Sequence, residues 1–398
     1  MSRVNELQNI VRVYEAASRA GSVAALASVV NVAGSTYRRI GAHMLVTEDG
    51  EATGAISGGC LERDVRRHAT WVMQSGRPKH LVYDSTGDDD GEDRFSLGCN
   101  GVVEVLVERL LTDSAYMAFL ADCVRESESA VVATVFSSCP ESSIAMGSRL
   151  LWHPSKGSIA LGVGNARHRQ ILEDAAAAAL ATGASSARIF DTCPGPLAVS
   201  FEIIERSPTL VIFGGGHDAV PLAEMAKAQG MKVVVADPRP GHATRVRFPA
   251  ADRLVAEEPA AAVDLLELDS DSLAVVMNHD YRRDFAALGA LLPAPIRYLG
   301  VLGPKRRTQR LLEELACRGI AGTEAQLARL YAPVGLDIGA ETPEEVAFAI
   351  VAEMKAVLAG RCGGLSRERQ GPLHESGDFA RGSLSATALP LAINRVAA

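Results

Sequence analysis

Two short stretches set a thiol among glycines: GAISGGCLERDV at 54–65, with Gly58, Gly59 and Cys60, and SLGCNGV at 96–102, with Gly98 and Cys99. A thiolate is a soft ligand and a carrier of persulfide sulfur, and a glycine-rich joint ahead of a helix exposes it beside unpaired amides, which lower thiol pKa values. The opposing reading is a small buried hydrophobe, the commonest fate of a free cysteine. Cys123, Cys139, Cys193, Cys317 and Cys362 lack such settings and keep that structural reading. A second chemistry sits further along, where Gly214-x-Gly216-x-x-Ala219 follows the apolar run TLVIF and Asp237 comes 23 residues after Gly214. Glycines let the backbone approach a pyrophosphate, a helix N-terminus offers free N–H groups, and the acid can accept from a ribose hydroxyl. His279 and Asp280 end another apolar run, and Gly303-Pro304-Lys305-Arg306-Arg307 ends the next. The three cations suit an anion, with a solvated helix face as the competing reading for any one of them.

These groups need elements to position them. TLVIFGGG reads as a strand buried on both faces, AVPLAEMAKAQG as a helix with Pro221 in its first turn, and MKVVVADPRP as a second strand ending in Asp237. Strand, glycine turn, helix and acid in that order make a Rossmann-like unit. SLAVVMNHD and IRYLGVLG supply two further strands. The carboxyl ends of a doubly wound sheet line one crevice, so His279, Asp280 and Lys305 to Arg307 are expected to share it with the glycine turn. PVGLDIGAETPEEVAFAIVAEMKAVLAG gives a closing helix, with Thr342 as N-cap and Pro343 at the first helical position. Beyond about Gly360 the tail, rich in arginine, glycine and serine, lacks periodicity and is expected to be unstructured or lightly docked.

Ahead of this unit the chain repeats itself. VAALASVV (23–30) followed by GAHML (41–45) returns 106 positions later as SAVVATVF (129–136) followed by GSRLL (147–151). Each copy has a helix-like segment before it, and after it a strand, a glycine turn, a helix and a strand ending in Asp84 or Asp191. This implies a duplicated α+β domain over 1–206, in copies of about 1–110 and 111–206. Where the first copy has Tyr37, Arg38 and Arg39, the second has Ser143, Ile144 and Ala145, and Cys60 faces Ala166. Residues present in one copy alone are less needed for the fold, which turns Cys60 toward function.

At 398 residues the chain exceeds the size at which one hydrophobic core keeps growing, so two or more domains are expected. A net charge of −8 gives no basic field for a phosphate backbone, which argues against nucleic acid as a partner. The start, MSRVNELQNIVRVYEAASRAG, is amphipathic without the apolar core of a secretory signal, and no stretch approaches membrane-spanning length. A cytoplasmic protein without a membrane partner is expected. Seven cysteines, an odd number spread far apart with no CxxC and no HExxH, indicate neither a disulfide framework nor a zinc site.

YRRIGAHMLVTEDG, ISGGCLERDV, LGCNGVVEVLVE, FGGGHDAVPLAEMAKAQGMKVVVADPRP, RYLGVLGPKRRTQRLL and PVGLDIGAETPEEVAFAIVAE together resemble the XdhC/CoxI family, accessory proteins of xanthine dehydrogenase and related molybdenum hydroxylases. The resemblance covers about residues 1–360. It implies an α/β chain: a duplicated N-terminal domain over 1–206, a Rossmann-like doubly wound domain over 207–360 and a tail at 361–398. It also implies a maturation chaperone more than a turnover enzyme, with no catalytic residue of its own. Such a protein binds the molybdenum cofactor, as molybdopterin or its dinucleotide form, supports its sulfuration by a cysteine desulfurase, and delivers it to the apo-hydroxylase. A homodimer is expected. The motif residues carry over as Gly58, Gly59, Cys60, Gly98, Cys99 and Gly101, and as Gly303 to Arg307, with Cys60 and Cys99 as candidate molybdenum ligands. Gly214, Gly216, His217, Asp237, His279, Lys305, Arg306 and Arg307 are the candidate cofactor-binding residues of the crevice, with the metal end of the cofactor reaching toward Cys60 and Cys99. The alternative is an NAD-dependent oxidoreductase using the Rossmann site, which the fingerprint and Asp237 alone would suggest. Gly215 and His217 stand where dehydrogenases commonly carry other residues, and the sequence shows no Lys–Asp or Tyr–Lys dyad for hydride chemistry, although His279 could act as an acid.

Overall fold

The computed structural model describes residues 3–85, 101–126, 128–192 and 195–370, so Gly98, Cys99 and Cys193 lie outside the described residues. Residues 7–206 make one compact unit, and a second is built from Ser207 onward.

In the first unit α1 (Arg3–Arg19) leads into β1 (Ala24–Gly34), β2 (His43–Thr47), β3 (Ala52–Gly54), α2 (Glu62–Ser75), β4 (Lys79–Asp84) and β5 (Gly101–Leu110). The same succession then starts again with α3 (Ala115–Arg125), β6 (Ala130–Ser138), β7 (Arg149–His153), β8 (Gly157–Leu161), α4 (Ala166–Thr182), β9 (Ser186–Asp191) and β10 (Pro196–Ile204). Both sheets are antiparallel with one strand order, β3-β2-β1-β5-β4 and β8-β7-β6-β10-β9. The offset of the sequence repeat is kept in the backbone: Gly41 N donates to Val29 O as Gly147 N donates to Val135 O.

Successive residues of a strand point to opposite faces, and β1 buries both. Ala25, Ala27 and Val29 pack with Val65, Ala69 and Val72 of α2, while Ala24 and Leu26 join a core that includes α1, α3 and strands of the second copy. The copies also exchange buried polar side chains. His43 Nε2 meets Glu202 Oε1 at 2.8 Å, and Arg149, at the position equivalent to His43, donates from Nη1 to Glu108 Oε1 at 3.1 Å. Glycine makes room each time. A Cβ at Gly41 would lie 2.8 Å from Glu202 Cγ, and one at Gly147 would lie 2.6 Å from Glu108 Oε1.

The second unit runs β11 (Thr209–Phe213), α5 (Ala219–Ala228), β12 (Lys232–Ala236), β13 (Arg253–Val255), α6 (Pro259–Leu266), β14 (Ser272–Val276), α7 (Tyr281–Leu291), β15 (Tyr298–Val301), α8 (Lys305–Cys317), α9 (Glu324–Leu327), β16 (Leu330–Tyr331) and α10 (Pro343–Leu358). Its six parallel strands lie in the order β13-β12-β11-β14-β15-β16. The order reverses between β11 and β14, which makes that gap the switch point where ligands of open α/β sheets bind. Leu210 and Ile212 face α5 and α10, and Val211 and Phe213 face α6, α7 and α8, so the strands carry unbroken apolar runs. The closing helix α10 starts at the expected N-cap, Thr342, with Pro343 at its first position, and Thr342 forms a capping box with Glu345. Beyond Gly360 the described residues hold one short 3-10 turn, Ser366–Glu368. Among the described residues no helix is long and apolar enough to cross a membrane.

Candidate functional site

The glycine turn of the second unit is built by steric exclusion. Gly214 takes a φ of +119°, and a Cβ there would lie 2.5 Å from Met277 O, so only glycine lets the turn pass the end of β14. Its amide donates to Ala236 O at 2.9 Å. The Gly215 amide donates to Asp237, and the two after it, of Gly216 and His217, have no acceptor among the described residues, which leaves two donors beside the start of α5. From the other side of the switch point comes His279, a non-glycine residue with a φ of +56°. Its Nε2 lies 2.6 Å from Asp218 Oδ2, and its ring edge would lie 3.8 Å from a Cβ at Gly216. The exposed imidazole is thus tied to the first turn of α5. Asp280 caps α7 by accepting from Arg283 N at 2.9 Å, and that bond leads the interactions that hold its carboxyl below the usual range.

Asp237, expected at a ribose hydroxyl, is fully buried. Its Oδ2 accepts from Gly215 N at 2.7 Å, and Oδ1 accepts from Arg239 N at 2.9 Å. The Arg239 side chain adds a fork, from Nε to Oδ1 at 2.9 Å and from Nη2 to Oδ2 at 2.6 Å. Burial pushes the carboxyl up, but Arg239 and the two amides outweigh it and hold the pKa at about 2. Asp237 therefore acts in this structure as an anchor for the glycine turn and for Arg239.

The basic cluster divides. Arg307 Nη2 donates to Asp284 Oδ2 at 2.5 Å, and the buried Asp284 also accepts from Asn278 N and Nδ2 at 3.1 Å each. This cation ties α8 to Asp284 of α7, and Asp284 in turn holds Asn278 just past β14. Lys305 and Arg306 stand exposed at the first turn of α8. Gly303, with a φ of +128°, turns the chain from β15 into Pro304.

In the first unit Cys60 is exposed, two residues before Glu62 opens α2. The joint is organised by Ser57 and Glu62, which the sequence reading passed over. Ser57 Oγ accepts from the amides of Gly59 and Leu61 at 3.1 Å each and from the Cys60 thiol at 3.4 Å, and it donates to Glu62 Oε2. Glu62 Oε1 accepts from Ser57 N at 2.8 Å and Ile56 N at 3.2 Å. Burial raises the Glu62 carboxyl, and these bonds from Ser57 and the amides bring it below the usual range. The Tyr37 ring lies against Gly58, and Gly101, paired with Gly34, packs under Ser35, so the YRR segment, the SGGC joint and Gly101 gather at one end of the sheet. The pairing of Cys60 with Ala166 needs correction. Gly54 and Ala160 hold equivalent register positions, opposite Met44 and Leu150, yet Glu62 follows Gly54 by eight positions and Ala166 follows Ala160 by six. The first copy has two extra residues in this joint, and relative to the helix start Cys60 corresponds to Gly164. Cys123 is buried, and burial, with help from nearby Glu126 and Asp122, pushes its thiol up to about 12.

Residues 17–84 match the model of the XdhC and CoxI family, and residues 210–354 match the XdhC Rossmann domain. A probable xanthine dehydrogenase subunit of Bacillus subtilis (strain 168) is 31% identical over 334 residues, 83% of this chain and 92% of that protein. The chain belongs to the XdhC and CoxI family. A further relative, the molybdenum cofactor insertion chaperone PaoD of Escherichia coli (strain K12), is 24% identical over 350 residues, 88% of each chain. The crystal structure of a xanthine dehydrogenase from Bacillus halodurans shares the fold with a TM-score of 0.70 at 27% identity, over 91% of this chain and 97% of that one. The cysteine joint falls within the first matched segment, and the whole crevice from Gly214 to Arg307 falls within the second.

Proposed function

We propose that this chain carries the molybdenum cofactor as cargo, supports its sulfuration by a cysteine desulfurase, and passes it to the apo form of a xanthine dehydrogenase-type molybdenum hydroxylase. The observation that carries the reading is the pair of unused amides, Gly216 and His217, at the switch point of the sheet, in a chain related over most of its length to a cofactor insertion chaperone. Amides at a helix start bind phosphate, and the cofactor's pterin bears one. Lys305 and Arg306 add exposed positive charge in the first turn of α8, after β15, which pairs with β14. In the first unit the exposed Cys60 thiol, at a joint two residues longer than its counterpart in the second copy, where Gly164 takes its place, supports contact with the metal or with its sulfur. Cys99, the second candidate thiol, belongs to the same proposal.

A carrier acts before the client enzyme turns over. In a strain lacking this protein, the hydroxylase should be made in normal amount but be largely inactive. Recovery of activity on treatment with sulfide and dithionite would place the defect at sulfuration, and a client without cofactor would place it at insertion. Full hydroxylase activity in that strain would overturn the reading.

A further inference from the structure

We propose that Arg239 closes the ribose subsite of the Rossmann crevice, so that the site rejects NAD-type dinucleotides and takes its ligand by phosphate at the glycine turn. The proposal rests on the crevice being the ligand site. In a Rossmann unit that binds NAD, the acid at the end of the second strand accepts the ribose hydroxyls. Here that acid is Asp237, directly after β12, and none of it is exposed. Its two oxygens already take the Gly215 and Arg239 amides and the Arg239 fork, at distances from 2.6 to 3.2 Å. Ribose could reach the carboxylate only by displacing the guanidinium. That exchange replaces a bidentate ion pair with hydroxyl bonds that bring no positive charge, and it strips a buried carboxylate of its countercharge. The guanidinium does not release itself by losing a proton near neutral pH. Beyond Arg239 the chain turns back onto the glycines, since a Cβ at Gly215 would lie 3.0 Å from the carbonyl of His242. On the phosphate half the Gly216 and His217 amides are unused, and the Asp218 carboxylate that lies over Gly216 is held by His279 Nε2 at 2.6 Å.

The test is calorimetric titration of the full chain with NAD+, comparing wild type with Arg239→Ala. Wild type should show no saturable binding, and Arg239→Ala, with Asp237 released, should gain affinity by about tenfold or more, a gain abolished again by adding Asp237→Ala. Arg239→Gln, which cannot form the fork, gives the same comparison if the alanine variant fails to fold. Saturable NAD+ binding by wild type, or folded Arg239 variants that bind no better than wild type, would overturn the proposal. A parallel titration with molybdopterin keeps the two readings apart. Failure of wild type to bind it counts against the cargo role, whereas the NAD+ comparison judges Arg239 by itself.

Discussion

The residue whose role changes most is Asp237. A strand ending in an acid 23 residues after the first glycine reads as a ribose acceptor, and nothing in the spacing shows that Arg239, two residues on, turns back to occupy it. Because the partner is so near in sequence, DPR is the signal that was available. The folded carboxyl is held at about 2, against an ordinary value near 4, which corresponds to roughly 2 kcal/mol of stability. The sign follows from the depressed pKa: the contribution is complete above about pH 4 and is lost as the pH falls toward 2. Asp237→Asn should therefore unfold more easily at pH 7 and show a shallower loss of stability on acidification than wild type. Urea denaturation at pH 7 and pH 3 checks this, and equal stability of the two proteins at pH 7 would contradict it.

At the scale of elements, the duplicated sheets are held by paired substitutions at one register position. His43 faces Glu202 and Arg149 faces Glu108, each passing over a glycine of the other copy. Removing one partner of a buried pair leaves a bare charge, so Arg149→Met should destabilise the chain by about 3–5 kcal/mol, and adding Glu108→Gln should restore a large part of it. Chemical denaturation of the single and double variants measures the difference. These contacts were illegible in the sequence because they join residues 41 to 159 positions apart. The elements themselves were legible wherever burial or a helix start writes a pattern: the run TLVIF for β11, the Thr342 N-cap and Pro343 of α10, and the repeat offset that makes β1 and β6 equivalent. β13 and β16, of three and two residues, are too short to carry any periodicity, and the sequence reading missed both. The helix start after Cys60 was misjudged against its copy, because an insertion in a loop shifts equivalence without disturbing the strands on either side.

For the whole molecule, the net charge of −8 and the family assignment together favour a small anionic cargo met by local donors over any broad basic surface. Each unit carries groups that the proposal uses: an exposed thiol at a joint lengthened by two residues in the first copy, and two unused amides beside a carboxylate occupied by Arg239 in the Rossmann-like unit. The central claim is that the cargo is the molybdenum cofactor. The most direct measurement is the molybdenum and pterin content of the chain purified from a host that makes the cofactor in excess. Both should co-purify with wild type in similar molar amounts, and both should fall in Cys60→Ala while its circular dichroism spectrum stays that of the wild type. A wild-type chain that carries neither molybdenum nor pterin would contradict it.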